Sequence, residues 1–200
     1  MQITRLEAEK GGKVRIWLND EPAFWLYEDE VKTLGLSAGD VLDEEAVGQI
    51  EDRLCAKHAV QRSMDILGRQ DKTRRQLIDK LKDEGYSVRI AEMAAEEMLR
   101  QHFLDDVRYA AMYMEGRKDR KNFRVLCMEL KGKGISDADL EAALLQVEFP
   151  GPELLIRQMA LKKKIDPETA SGEQLQRFYQ MMMRKGFSYG EIKQALTAKQ

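Results

Sequence analysis

Apolar positions along the chain change their period once. In the first forty residues they fall in short runs, Ile3–Glu9, Val14–Leu18 and Ala23–Tyr27, rich in β-branched and aromatic residues. Such runs suit strands. They are broken by Lys10-Gly11-Gly12 and by Asn19-Asp20-Glu21-Pro22, and Gly-Gly between two strand-like runs is a hairpin signal. The pattern predicts a small antiparallel β-meander over residues 1–42 that holds both tryptophans, Trp17 and Trp25. A sheet of this size is marginal alone and must pack on the helical part of the chain. From Asp43 onward the period is helical, with Val47, Ile50, Leu54, Met64 and Leu67 in helix-like spacing up to Gly68.

Beyond Gly68 the punctuation repeats. Thr73-x-x-Gln76, Ser136-x-x-Asp139, Ser171-x-x-Gln174 and Ser188-x-x-Glu191 have capping-box spacing. Gly85, Gly134 and Gly186, 49 and 52 residues apart, stand where a helix ends in a left-handed residue. Around them Leu81–Ser87, Leu130–Ser136 and Met182–Ser188 align, each ending in Gly, an apolar residue and a capping Ser. With a further helix before each, the sequence predicts a mostly α fold of three tandem three-helix repeats, residues 43–104, 105–149 and 150–200, after the meander. Stacked repeats contact only their neighbours, so an elongated array is expected.

Composition narrows the function. Of 200 residues 34% are charged, above the roughly one quarter usual in globular domains. The longest stretch without a charge is Thr33 to Gly39, too short for a membrane span, and Met1–Arg5 lacks the apolar core of a secretion signal. Two cysteines, Cys55 and Cys127, make no disulfide framework, so a cytoplasmic protein is expected. No phosphate loop, dinucleotide fingerprint, nucleophile elbow or HExxH occurs. Cys55-x-x-His58 is half of a metal site without a second half, Cys127 reads as a core residue beside Val125 and Leu130, and His102 has no motif around it. No catalytic residue, metal or cofactor is expected. The 11 methionines read as flexible core filler between short helices.

Charge is better organised than the net value of −2 suggests. Residues 1–58 carry 7 basic and 13 acidic side chains, and residues 59–200 carry 26 and 22. The basic residues cluster at matching places in each repeat: Arg69, Lys72, Arg74 and Arg75; Arg117, Lys118, Arg120, Lys121 and Arg124; Arg157, Lys162, Lys163 and Lys164. Stacking would align them into a stripe suited to a filamentous acidic partner, either a nucleic-acid backbone or an acidic protein groove. A rival reading is a stand-alone helix-turn-helix-like DNA-binding protein. Against it, the segments after the Ser caps (Val88-Arg89-Ile90, Asp137-Ala138-Asp139, Tyr189-Gly190-Glu191) are not basic or amide-rich, as a groove-reading helix should be.

The octet Phe103-Leu104-Asp105-Asp106-Val107-Arg108-Tyr109-Ala110 is the most distinctive in the chain. It reads as a helix start, with an Asp at the cap, a carboxylate facing the dipole, and Tyr109 and Ala110 entering the core. The string Leu104-Asp105-Asp106-x-x-Tyr109-Ala110 also resembles the hallmark of the RecX family of bacterial regulatory proteins. In that family an Arg follows, here near position 117, and then a helix ending like Glu129-Leu130-Lys131-Gly132-Lys133-Gly134-Ile135. The resemblance spans about residues 50–200, and the sheet is similar to the extension of longer members. Asp119–Phe123, without the family's usual Gly, and the connection from Gly151-Pro152 to Pro167 depart from it. The resemblance implies a curved repeat array without enzymatic activity that lies along the filament of the RecA recombinase on single-stranded DNA. It further implies inhibition of strand exchange, ATP hydrolysis and the co-protease activity of the SOS response, and so a role in DNA repair and recombination. The expected partners are RecA and, weakly or through RecA, single-stranded DNA. A monomer with no membrane contact is expected.

Overall fold

Two turns rich in residues that tolerate a left-handed backbone set the register of the amino-terminal sheet. In the computed structural model, which describes residues 1–197, β1 (Ile3–Glu9), β2 (Lys13–Leu18) and β3 (Glu21–Tyr27) form an antiparallel meander in the order β1-β2-β3. Gly11 and Gly12 turn β1 into β2 at φ +80° and +71°. Asn19 and Asp20 turn β2 into β3 at φ 51° and 66°, the conformations that type I′ hairpins demand. β3 starts earlier than the sequence pattern suggests, because Pro22 lies on the edge strand, where its missing N–H costs no ladder bond.

One helix escaped the sequence reading. α1 (Glu28–Leu34) follows β3 directly, inside the segment read only as meander. Its seven residues are too few to show a helical period, and its start carries no Ser, Thr, Asp or Asn cap. Instead the Glu30 carboxylate accepts the Tyr27 N–H at 2.9 Å, and Gly35 closes the helix at φ 66°.

The chain divides into two compact units, the first being Met1–Asp105 and the second starting at Asp106. In the first, α2 (Glu44–Ile50), a π-helical turn (Glu51–Cys55) and α3 (Ala56–Leu67) run on without a break. α4 (Arg74–Asp83) and α5 (Val88–Arg100) complete the three-helix unit, with α3 packed chiefly on α5. The sheet and these helices share one core that includes Ile3, Ile16, Leu26, Leu77, Ile90, Met98 and Leu104. In the second unit α6 (Asp106–Glu115), α7 (Phe123–Gly132) and α8 (Asp137–Leu144) surround Ala110, Met114, Leu126 and Leu130. α9 (Pro152–Lys162), α10 (Gly172–Arg184) and α11 (Tyr189–Thr197) surround Ile156, Phe178, Met182 and Ile192. The last three positions of the third expected repeat, 198–200, lie outside the described residues. In each set the first helix packs on the third. Among the described residues no helix is long and apolar enough to cross a membrane.

The repeat is visible bond for bond. Gly85, Gly134 and Gly186 sit at φ 90°, 90° and 91°. Their N–H groups donate to the carbonyls of Lys82, Lys131 and Met183, and the next residues, Tyr86, Ile135 and Phe187, donate to Leu81, Leu130 and Met182. That pair of bonds is the Schellman motif, which satisfies carbonyls left open at a helix end. Ser87, Ser136 and Ser188 then accept N–H bonds from the first turn of the next helix.

Methionine divides between roles. Met98, Met114 and Met182 are fully buried, whereas Met112, Met128 and Met183 are exposed. Cys127 is half-buried at the edge of its cluster, less enclosed than its helical spacing suggests.

Candidate functional site

Among the described residues no three His, Cys, Asp or Glu side chains converge as metal ligands. Cys55 is buried, and burial pushes its thiol up to about 12, which leaves it without the thiolate that reactivity requires. His58 is engaged by Glu30, Nε2 to Oε1 at 2.8 Å, and its ring stacks on Trp25 at 5.1 Å. Both therefore join the sheet to the first three-helix unit.

The basic residues of that unit surround the start of α4. Arg69 is exposed just past α3, and Lys72 donates to the Gln70 side chain at 3.0 Å. Arg74, in the first turn of α4, forms an ion pair with Glu96 of α5 at 2.7 Å, and Arg75 lies 3.8 Å from Asp79. Arg74 and Arg75 are thus already opposed by acidic groups of their own unit.

In the second unit the corresponding group lies between α6 and α7. Arg117 covers the ring of Tyr113 at 3.8 Å, and Tyr113 is stacked on Tyr109 of the distinctive octet. Lys118 pairs with Glu115 at 2.6 Å. Lys121 pairs with Glu129, which also accepts the Tyr113 hydroxyl at 2.9 Å. Burial alone would raise the Glu129 carboxyl, but the bonds from Lys121 and Tyr113 hold it below the usual carboxylate range. Arg124 is exposed beside the Phe123 ring. Leu104 is buried in the first unit, Asp105 directly precedes α6, Asp106 opens it, and Ala110 is buried in its core.

The structure then joins this group to part of the third. Lys185, which the sequence reading missed, caps α10 and donates its Nζ to the Arg120 carbonyl at 3.1 Å. In return the Asn122 N–H donates to the Lys185 carbonyl at 2.9 Å, while the Asn122 side chain caps α7. Burial, then Lys121, Arg120, Lys163 and Lys162 in turn, hold the Lys185 ammonium below the usual lysine range. Lys162 and Lys163 are exposed at the end of α9, and Lys164 follows them in a left-handed conformation at φ 54°. Arg157 is turned elsewhere, onto Glu153 and the Ala195 carbonyl. Among the described residues, Arg120, Lys162, Lys163 and Lys185 have no carboxylate in ion-pair contact, so one surface of the second unit concentrates positive charge. Lys185 carries no sequence signal of this role. It lies at a helix end with the acid-poor run Met181–Lys185, and only the fold brings it to Arg120.

Two of the helices that follow Ser caps begin with acidic or acid-tied residues. Arg89 of α5 is tied to Glu51 and Asp52, and the first turn of α8 holds Asp137 and Asp139.

Known proteins place these units. Residues 59–98, 105–144 and 154–196 match, in order, the models of the first, second and third three-helix domains of RecX. A regulatory protein RecX from Bacillus licheniformis is 30% identical over 203 residues, covering 97% of this chain and 76% of that protein. One from Leuconostoc mesenteroides is 27% identical, covering 94% and 72%. A crystal structure of regulatory protein RecX superposes with a TM-score of 0.62 at 26% identity, covering 97% of this chain and 98% of that one. RecX from Lactobacillus salivarius, at 22% identity and a TM-score of 0.57, shares the fold over 70% of this chain. With all three domain models matched in order across the repeats seen in the structure, the chain belongs to the RecX family of regulatory proteins.

Proposed function

We propose that this protein binds the filament that RecA forms on single-stranded DNA and restrains its strand exchange, ATP hydrolysis and co-protease activity, acting as a cytoplasmic monomer without enzymatic activity. The observation that carries this reading is the ordered match of all three helical units to the domains of one regulatory family. The basic groups of the repeats supply the surface for a polyanionic filament. The reading divides the chain into an extension, residues 1–42, and repeats at 43–104, 105–149 and 150–200.

The test compares the affinity of the full chain for naked single-stranded DNA with its affinity for the same strand coated by RecA and a slowly hydrolysed ATP analogue, at equal salt. Tighter binding to the coated strand, with a fall in RecA ATPase, is expected. Equal or tighter binding to the naked strand would overturn the regulator in favour of a stand-alone DNA-binding protein.

A further inference from the structure

The basic residues of this chain fall into two classes that sequence position does not reveal. Many are opposed within a few ångströms by a carboxylate, as Arg74 is by Glu96, Lys118 by Glu115 and Lys121 by Glu129. At the junction of the second and third repeats Arg120, Lys162, Lys163 and Lys185 are not. Lys185 is the informative member. It is half-buried, and its ammonium is fixed by one hydrogen bond to the Arg120 carbonyl, which leaves two of its three donors unassigned. Its main chain is fixed as well, through the Asn122 N–H at 2.9 Å. A folded chain that gathers like charges at one place, and holds one of them rigidly, has a site whose repulsion an anion relieves.

A second feature adjoins the cluster and shares Lys163 with it. A surface recess of about 240 Å³ is lined by Lys163, Ile165, Gln174, Arg177, Phe178 and Met181. Ile165, Phe178 and Met181 are its apolar lining and Lys163 its unopposed cation; Arg177 is paired with Glu173, and the Gln174 oxygen accepts the Ser171 N–H. The recess is below the roughly 300–1,000 Å³ of pockets for drug-sized ligands. Apolar walls beside point-like cations match one planar base next to its phosphates, the combination on which single-strand binders rely.

From these two features we propose that the junction of repeats two and three is a direct single-strand nucleic-acid site. Arg120, Lys162, Lys163 and Lys185 take backbone phosphates and the recess beside Lys163 takes an unstacked base. Lys121 stays on Glu129. The proposal deepens the filament reading by naming the strand itself as a ligand, but its test contains no RecA. Failure of recombinase regulation therefore leaves it standing, and its own failure leaves that regulation to protein contacts.

The probe is a fluorescein-labelled thymidine 20-mer, titrated with the full chain over a series of salt concentrations. The triple variant K162Q/K163Q/K185Q removes three phosphate contacts and should flatten the log–log salt slope by about 2 units, at roughly 0.7 per contact on a single strand. K162Q/K163Q, confined to exposed side chains, should flatten it by about 1.4 and keeps the test valid if Lys185 is needed for folding. R69Q/K72Q/R75Q, in the first repeat, should leave the slope within about half a unit. A 20-mer of stable abasic sites should bind the wild type about tenfold more weakly than the thymidine strand, since its phosphates remain and its bases do not. An unchanged slope in both junction variants, or an equal loss in the first-repeat control, would overturn the phosphate site. Equal affinity for the abasic strand would overturn the base recess.

Discussion

At Gly186 two demands fall on one atom. The residue must adopt φ +91° to close α10, and a Cβ there would come within 2.5 Å of Val125 Cγ2 on α7. Gly85 meets the first demand at φ +90°, but the nearest obstacle to a Cβ is the guanidinium end of Arg15, 2.7 Å away, which can swing aside. Left-handed strain costs a side chain about 1–2 kcal/mol, and forcing a methyl into a packed contact about 1–3 more. Gly85→Ala should therefore cost about 1–2 kcal/mol and Gly186→Ala about 2–5 kcal/mol in urea unfolding of the full chain. Equal costs would show that the contact with Val125 relaxes freely. The spacing of these glycines made the repeat legible, because few residues other than glycine occupy that conformation without strain. The helix ends at His102 and Lys164 use the same conformation, at φ 60° and 54°, without glycine, and so gave no signal.

Between elements, the ties that the sequence hid are polar and long-range. Glu84 caps α4 at its carbonyl end, where the helix dipole disfavours a carboxylate. Arg62 of α3 answers it with two bonds at 2.7 and 2.8 Å, and Lys80 adds a third contact at 3.2 Å. The bonds from Arg62, against the opposing effect of burial, hold the Glu84 carboxyl below its ordinary value of 4.5. A carboxylate with a depressed folded pKa contributes stability above its unfolded pKa and loses it as pH falls through the folded value. Wild type should thus be more stable than Glu84→Gln at pH 7, and the difference should shrink as pH drops below about 4.5. A difference that stays constant from pH 7 to pH 3 would show that packing, not charge, makes the tie. Strands, repeats and Ser caps could be read because each depends on neighbours within a few positions. Arg62 with Glu84, Asn122 with Lys185 and His58 with Glu30 could not, since 22, 63 and 28 residues separate the partners and no local spacing records them.

For the whole molecule, the structure changes which charges can be removed cleanly. Arg117, Lys118, Arg120 and Lys121 look interchangeable in sequence, and on an exposed loop their joint reversal to Glu would cost the fold little. Yet Arg117 lies on Tyr113, Lys118 pairs with Glu115, and Lys121 neutralises the half-buried Glu129, which also holds Tyr113. Reversal sets a second carboxylate, at position 121, against Glu129 and removes the cation from an aromatic face, so the quadruple variant should melt below wild type. K162Q/K163Q touches neither contact and should melt with wild type. Under the filament reading both variants should still slow the RecA ATPase, the first less than the second at equal concentration, because three repeats engage a long partner together and loss of one basic group lowers the joint affinity without abolishing it. Melting curves of both variants, followed by ATPase titrations of RecA on single-stranded DNA below the lower melting point, make the comparison. Complete loss of inhibition in a folded K162Q/K163Q variant would concentrate the regulatory contact at one junction. Distribution over three repeats would then be wrong, although the family membership and the fold would stand.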